Sequence, residues 1–373
     1  MRGRDRAGAA AHERGHRRVR LAEEATLSVG PGLIQALRRE LGDAGLEFAD
    51  PPAPLGGGFD TAIYAFRLRR APAPFSGPLI LRVLPSHHDP ARVLRERATQ
   101  NAVADLGYPA PRVALAVMDP GPVGGPFLVM ERLPGVALPR AAPLGMAGVL
   151  VEHQLRLHAL DPEPVLRAIE REGVNRALAT FDGYLDQFER RLTGASLAGL
   201  APTMTWLRAR RPRPDQPPVI CHGDFHPQNI LVQNGAVTGV VDWPNAVVAE
   251  PVFDVAATRV ILRFVPVTLA TMSAPMRVVA RMARPVLAAR YLAGYRRRRH
   301  LDSDRLAYYE VASCMRSLLR IGESRRRAAN TAASSDPLDI PSFIHWLTRH
   351  IATVAGVNVS LPVAWPGRAS VGH

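Results

Sequence analysis

The chain has 373 residues, 47% of them hydrophobic, enough for one large or two medium domains that each bury a core. Its formal net charge is +14, but every one of the 47 basic residues is arginine, and the chain holds no zinc-finger spacing, no basic region followed by heptads and no aromatic-rich RNA-binding signature. Cys221 and Cys314 are too few for a disulfide framework, which fits a reducing, cytoplasmic setting, and the longest weakly polar run, Phe264 to Met276, is too short for a membrane span and contains Pro266 and Pro275.

In chain order, residues 1–28 read as a flexible basic tail: seven arginines stand in the first twenty positions with almost no large apolar residue to fold around. Leu33, Ile34, Leu37 and Leu41 then recur on one face of a short amphipathic helix ended by Gly42. From Ala62 to Arg132 the pattern is strand-like, with Tyr64, Phe66 and Leu68 alternating, short apolar runs at Leu79–Val83 and Phe127–Met130, and one helix at Pro90–Leu106. The first strand is expected at Ala62, directly after the run Gly56-Gly57-Gly58. Residues 29–132 therefore predict a small sheet lobe.

Beyond the Pro/Gly-rich segment Leu133–Pro143, helical patterns dominate at Gly145–Leu160, Pro164–Leu192, Ser303–Arg326 and Pro341–Val354. Short strands interrupt them only near Val219–Val241. Residues 133–357 read as a larger, mainly helical lobe and residues 358–373 as a tail. The class is α+β with two lobes.

The most informative segment is Cys221-His222-Gly223-Asp224-Phe225-His226-Pro227-Gln228-Asn229-Ile230-Leu231, which sets a carboxylate and an amide five residues apart in a loop that returns to a strand. Eighteen residues after Asp224, the apolar strand Val237–Val241 ends in Asp242-Trp243. Phosphoryl transfer needs an acceptor for the proton of the attacking hydroxyl and hard oxygen ligands for the magnesium that neutralises the phosphates. Asp224 suits the first task; Asn229 and Asp242 suit the second.

His-Gly-Asp, four residues, Asn, and then Asp-Trp resembles the aminoglycoside phosphotransferase family, small-molecule kinases of the protein-kinase-like fold. The resemblance runs from about Leu55 to Asp254 and is strongest over residues 221–242. It implies a two-lobe kinase that uses Mg2+ and ATP, or GTP, to phosphorylate an alcohol on a small molecule. Asp224 would be the catalytic base, with Asn229 and Asp242 holding the metal. Asp254 matches an aspartate that steadies the family's catalytic loop, although it could equally cap the apolar helix it opens. Pro244 stands where many relatives carry a polar residue.

On the nucleotide side, Gly57, Gly58 and Phe59 fall where the family has a phosphate-facing loop, though a glycine run can be only a turn. Arg82 and Glu96 fit the cation and carboxylate that a kinase pairs across strand and helix, with arginine in place of lysine; a plain surface ion pair is the alternative. Met130 to Gly135 reads as the hinge, so Glu131 and Leu133 are assigned to the base of the nucleotide. His222 reads as a loop brace, His226 as a space-filler beside the metal site, and His158 as part of a core helix.

Between Arg259 and Arg327, where the acceptor should bind, sixteen arginines face only Asp302, Asp304, Glu310 and Glu323. That predicts a neutral or anionic acceptor rather than a polycationic aminoglycoside. Three rival readings are a nucleotide-binding pseudokinase with a regulatory role, an antibiotic-resistance kinase, and a basic protein of nucleic-acid or membrane surfaces. The three site residues together speak against the pseudokinase, and no nucleic-acid partner is expected.

Overall fold

The computed structural model describes residues 29–55, 61–264, 274–330 and 336–362. The basic tail at 1–28 and the loop residues Gly57, Gly58 and Phe59 lie outside the described residues. The chain divides into two compact units: the first ends at Leu133, except that Asp105–Pro109 belongs to the second.

The first unit is a five-stranded antiparallel sheet. After helix α1 (29–41), closed by Gly42 at φ 65, come β1 (Glu47–Pro54), β2 (Ala62–Arg69), β3 (Leu79–Val83), α2 (Ala91–Asp105), β4 (Val113–Val117) and β5 (Phe127–Glu131). The strand order is β1-β2-β3-β5-β4. Strand alternation divides the sheet's two faces. Leu79, Leu81, Phe127 and Val129 pack with Leu33 and Leu37 of α1, while Leu128 and Met130 pack with Val93 of α2.

Two strands here escape the sequence pattern. The first strand is β1 and not β2, so the glycine run falls in sequence between two strands rather than before the first. β1 carries Pro51, Pro52 and Pro54, which read as loop, but β1 is a sheet edge and its register with β2 shifts between Asp50 and Ala53, where an edge strand tolerates proline. β4 is the other edge, and the Asn101 side chain from α2 bonds both backbone groups of Val113 there, accepting from its N–H at 2.8 Å and donating to its carbonyl at 3.0 Å.

The second unit contains β6 (Val136–Ala137), the short α3 (Leu138–Ala141), α4 (Met146–His158), α5 (Glu163–Arg171), α6 (Phe181–Gly194) and α7 (Ala201–Ala209). Then follow β7 (Val219–Cys221), β8 (Ile230–Gln233), β9 (Ala236–Val240), β10 (Val247–Ala249), α8 (Pro251–Phe264), α9 (Ala274–Arg296), α10 (Ser303–Asn330) and α11 (Pro341–Ala355). The single helical pattern at 164–192 is in fact two helices, because Gly173 at φ 73 ends α5. β7 pairs antiparallel with β10, and β6-β8-β9 form a small antiparallel sheet. α10 packs on α8 and α11, and α9 packs on α4 and α8. Among the described residues, no helix is long and apolar enough to cross a membrane.

Candidate active site

The loop from His222 to Asn229 leaves β7, closes with a 3-10 turn at Pro227–Asn229 and enters β8. Its shape begins with Gly223, at φ 74, where a Cβ would run into the Asn245 carbonyl; no other residue fits that turn. Asp224, the carboxylate of the loop, follows with its side chain 24% exposed. Asn229 donates its Nδ2 to the Asp224 carbonyl at 3.0 Å, so its Oδ1 is the side-chain atom left to accept or to ligate.

Asp242 reaches the same place through the β8–β9 hairpin. Val241 N–H bonds the Asn229 carbonyl at 2.9 Å, which sets Asp242 one residue from Asn229's backbone partner. There the chain turns with Asp242 at φ 72, a left-handed conformation that aspartate tolerates better than most residues and that tends to mark functional sites. Two hard oxygen donors, an amide just before β8 and a carboxylate just after its partner β9, suit a magnesium ion that keeps several of its own waters. Within the described residues these two side chains fit the group that the loop implies.

Behind the loop lies a buried brace. Asp254, in the first turn of α8 and fully enclosed, accepts from His222 N–H at 3.1 Å and Gly223 N–H at 2.8 Å. His158 of α4 contacts the same carboxylate through Nε2 at 3.1 Å, and Tyr295 of α9 closes the ring's other side at 2.7 Å from Nδ1. Burial alone would raise the Asp254 carboxyl, but the hydrogen bonds from His158 and Gly223 outweigh it and hold the group below its ordinary value. Of the two roles open to Asp254, the geometry is that of loop brace. His158 is more than core filler, and nothing local in its sequence could say so, since its partner is on a helix 96 residues away.

His222 is fully buried, and burial holds its imidazole below the ordinary value in spite of the nearby carboxylates. The neutral ring accepts from Asp224 N–H through Nδ1 at 3.3 Å and donates from Nε2 to the Val241 carbonyl at 3.1 Å, tying the Asp224 and Asp242 backbones together. His226 caps the 3-10 turn, accepting from Gln228 N–H. Neither histidine stands where a mobile proton is needed.

In the first unit, alternation along β3 turns Arg82 toward α2, where its guanidinium pairs with the buried Glu96 and bonds Thr61 Oγ1 at 3.3 Å. A double-mutant cycle through Arg82→Met and Glu96→Gln, read by chemical unfolding, is expected to give a coupling of about 0.5–3 kcal/mol; strictly additive costs would show that the pair does not meet in solution. At the end of β5, the Glu131 carboxylate accepts from Arg112 N–H at 2.7 Å, so this side chain braces β4's approach instead of facing outward. The amides of Glu131 and Arg132 are already bonded to the Arg112 and Pro78 carbonyls, and Leu133 is the next amide along.

One residue near Asp224 was invisible in the sequence pattern. Arg316 of α10, 92 residues further on, donates Nη1 to the Gly223 carbonyl and brings Nη2 to 3.5 Å from Asp224 Oδ1. Four of the sixteen arginines counted around it are engaged with carboxylates elsewhere: Arg259 with Glu310, Arg320 with Asp336, Arg325 with Asp339, and Arg305 with Glu250 and Asp215. Arg316 places its guanidinium against the loop itself.

The fold of small antiparallel sheet and larger helical part is kinase-like. A solved aminoglycoside phosphotransferase, APH(4)-Ia in complex with ADP and hygromycin B, matches 86% of this chain and 97% of its own at TM-score 0.54 and 17% identity. An ethanolamine kinase from Plasmodium vivax matches 83% of this chain and 82% of its own at TM-score 0.51 and 12% identity. The chain belongs to the phosphotransferase enzyme family, whose model matches residues 53–309. Among curated proteins, acyl-CoA dehydrogenase family member 11 from Gallus gallus is 28% identical over 205 residues, 52% of this chain, and its counterpart from Rattus norvegicus is 26% identical over 232 residues, 60% of this chain. The matched regions cover only 24% and 29% of those proteins' lengths.

Proposed function

We propose that the chain transfers the γ-phosphoryl group of ATP, or of GTP, to a hydroxyl of a small molecule other than a polycationic aminoglycoside. The observation that carries this reading is the loop itself: an accessible Asp224, an Asn229 whose amide nitrogen is fixed to the Asp224 carbonyl, and Asp242 beside them in a left-handed turn. Membership of the phosphotransferase family supports it.

Asp224 accepts the proton of the acceptor hydroxyl and orients its oxygen toward the γ-phosphorus. The new oxygen–phosphorus bond forms as the bond to the β–γ bridging oxygen breaks, and ADP leaves with that electron pair. Asn229 Oδ1 and the Asp242 carboxylate hold magnesium, which when bound neutralises the charge on the phosphates. Arg82, fixed by Glu96, steadies the nucleotide phosphates, with Gly57, Gly58 and Phe59 forming the loop over them and the backbone around Glu131 and Leu133 meeting the base. His158, Tyr295 and Asp254 keep the catalytic loop in one conformation, so positioning and electrostatics supply the rate.

The direct test is the metal. Asp242→Asn keeps the side-chain size and the tolerance for the left-handed turn, and is expected to abolish magnesium-dependent ATP binding by calorimetry while leaving thermal unfolding nearly unchanged. ATP binding that is equally tight with and without magnesium in the wild-type protein would overturn the two-ligand reading.

A further inference from the structure

Arg316 differs from the carboxylate-paired arginines of the second unit in what holds it. Arg191, for comparison, is gripped by Glu323 through two parallel bonds of 2.8 Å, the fork-to-carboxylate geometry that satisfies a guanidinium completely. Arg316 is anchored through a neutral backbone carbonyl, that of Gly223, and by the Tyr184 hydroxyl of α6. Among the described residues its carboxylate contact, Nη2 to Asp224 Oδ1 at 3.5 Å, is at the outer limit of a hydrogen bond. Its side chain is 16% exposed, and the partly exposed carboxylate beside it is the one that must receive the acceptor hydroxyl.

A substrate oxygen that hydrogen-bonds Asp224 therefore arrives next to a fixed cation. An ammonium group on the same substrate would meet repulsion there. A carboxylate or phosphate would meet a planar donor fork already oriented by the loop. Resting on the kinase reading above, we propose that Arg316 is a specificity-determining residue and that the acceptor is a hydroxylated organic anion, a carboxylate or a phosphate monoester, whose charged group lies close to the hydroxyl that is phosphorylated.

The proposal separates from a purely structural role for Arg316 by ratios. A residue that only props the loop lowers turnover of every acceptor alike; one that reads charge changes the preference among acceptors. The full chain is assayed by ADP release and phosphorus NMR against hydroxy-carboxylates of graded chain length, phosphate monoesters of diols, and the neutral amide and cationic amine counterparts of each. The wild-type protein is expected to prefer the anions on the order of a hundredfold in kcat/KM, carried mostly by KM. Whether the acids or the phosphate esters are favoured identifies the anionic group. Arg316→Gln is expected to erase most of that preference with MgATP affinity unchanged, and Arg316→Lys to retain part of it. Wild-type preference for neutral or cationic acceptors, or an Arg316→Gln variant with the ratio intact, overturns the proposal while the kinase reading stands. Failure of the wild-type protein to bind MgATP overturns the kinase reading and the proposal with it.

Discussion

Asp224→Ala is expected to bind MgATP normally and to lose turnover by roughly a hundred- to ten-thousand-fold, the range that general-base assistance typically supplies. The carboxylate is partly exposed, and the contacts that shape the loop run through backbone atoms of Gly223 and Asp224 and the side chains of His222, Asn229 and Asp254. Removing the Asp224 side chain therefore deletes the proton acceptor without releasing the loop. Single-turnover assays with calorimetric control of nucleotide binding check this; undiminished turnover in the variant would remove Asp224 from the mechanism.

The second large effect is expected behind the loop. Asp254 is enclosed and ionised, held by two backbone amides and His158, so His158→Ala leaves a buried charge short of a partner and should cost about 3–5 kcal/mol in chemical unfolding. The pH dependence has a definite sign. A carboxyl held below its ordinary value in the folded protein stabilises it at pH above that value, and the contribution is lost as the pH falls through the lower folded value. The acid limb of the stability profile should thus be shallower in Asp254→Asn, which keeps the volume but cannot ionise. An unaltered acid limb, together with a His158→Ala cost within about 0.5 kcal/mol, would mean that the brace bears no weight.

The candidate site was readable where its parts are neighbours in the chain. His222 to Asn229 is a single loop, Asp242 is one hairpin away, and the strand-to-helix order of Arg82 and Glu96 is set by alternation and by the helix that follows. Residues that enter the site from other helices left no local mark: His158, Tyr295 and Arg316 are ordinary members of helical patterns until α4, α9 and α10 are packed. The count of sixteen arginines between 259 and 327 took a stretch of sequence as a surface; five carboxylates engage Arg259, Arg305, Arg320 and Arg325 within it.

Errors in the fold have equally specific causes. β1 was hidden by its prolines, β4 by its lack of alternation, and the break between α5 and α6 by a single glycine within an otherwise continuous helical pattern.

The prolines of β1 also bear on how the protein behaves in crowded solution. An antiparallel sheet with two free edges can recruit strands from other molecules and grow into fibres. Along β1, positions 51, 52 and 54 offer no N–H to an incoming strand, and at the opposite edge Asn101 occupies both hydrogen-bonding groups of Val113. The sheet is thus guarded at both ends by groups that work without charge. Such protection does not weaken with salt.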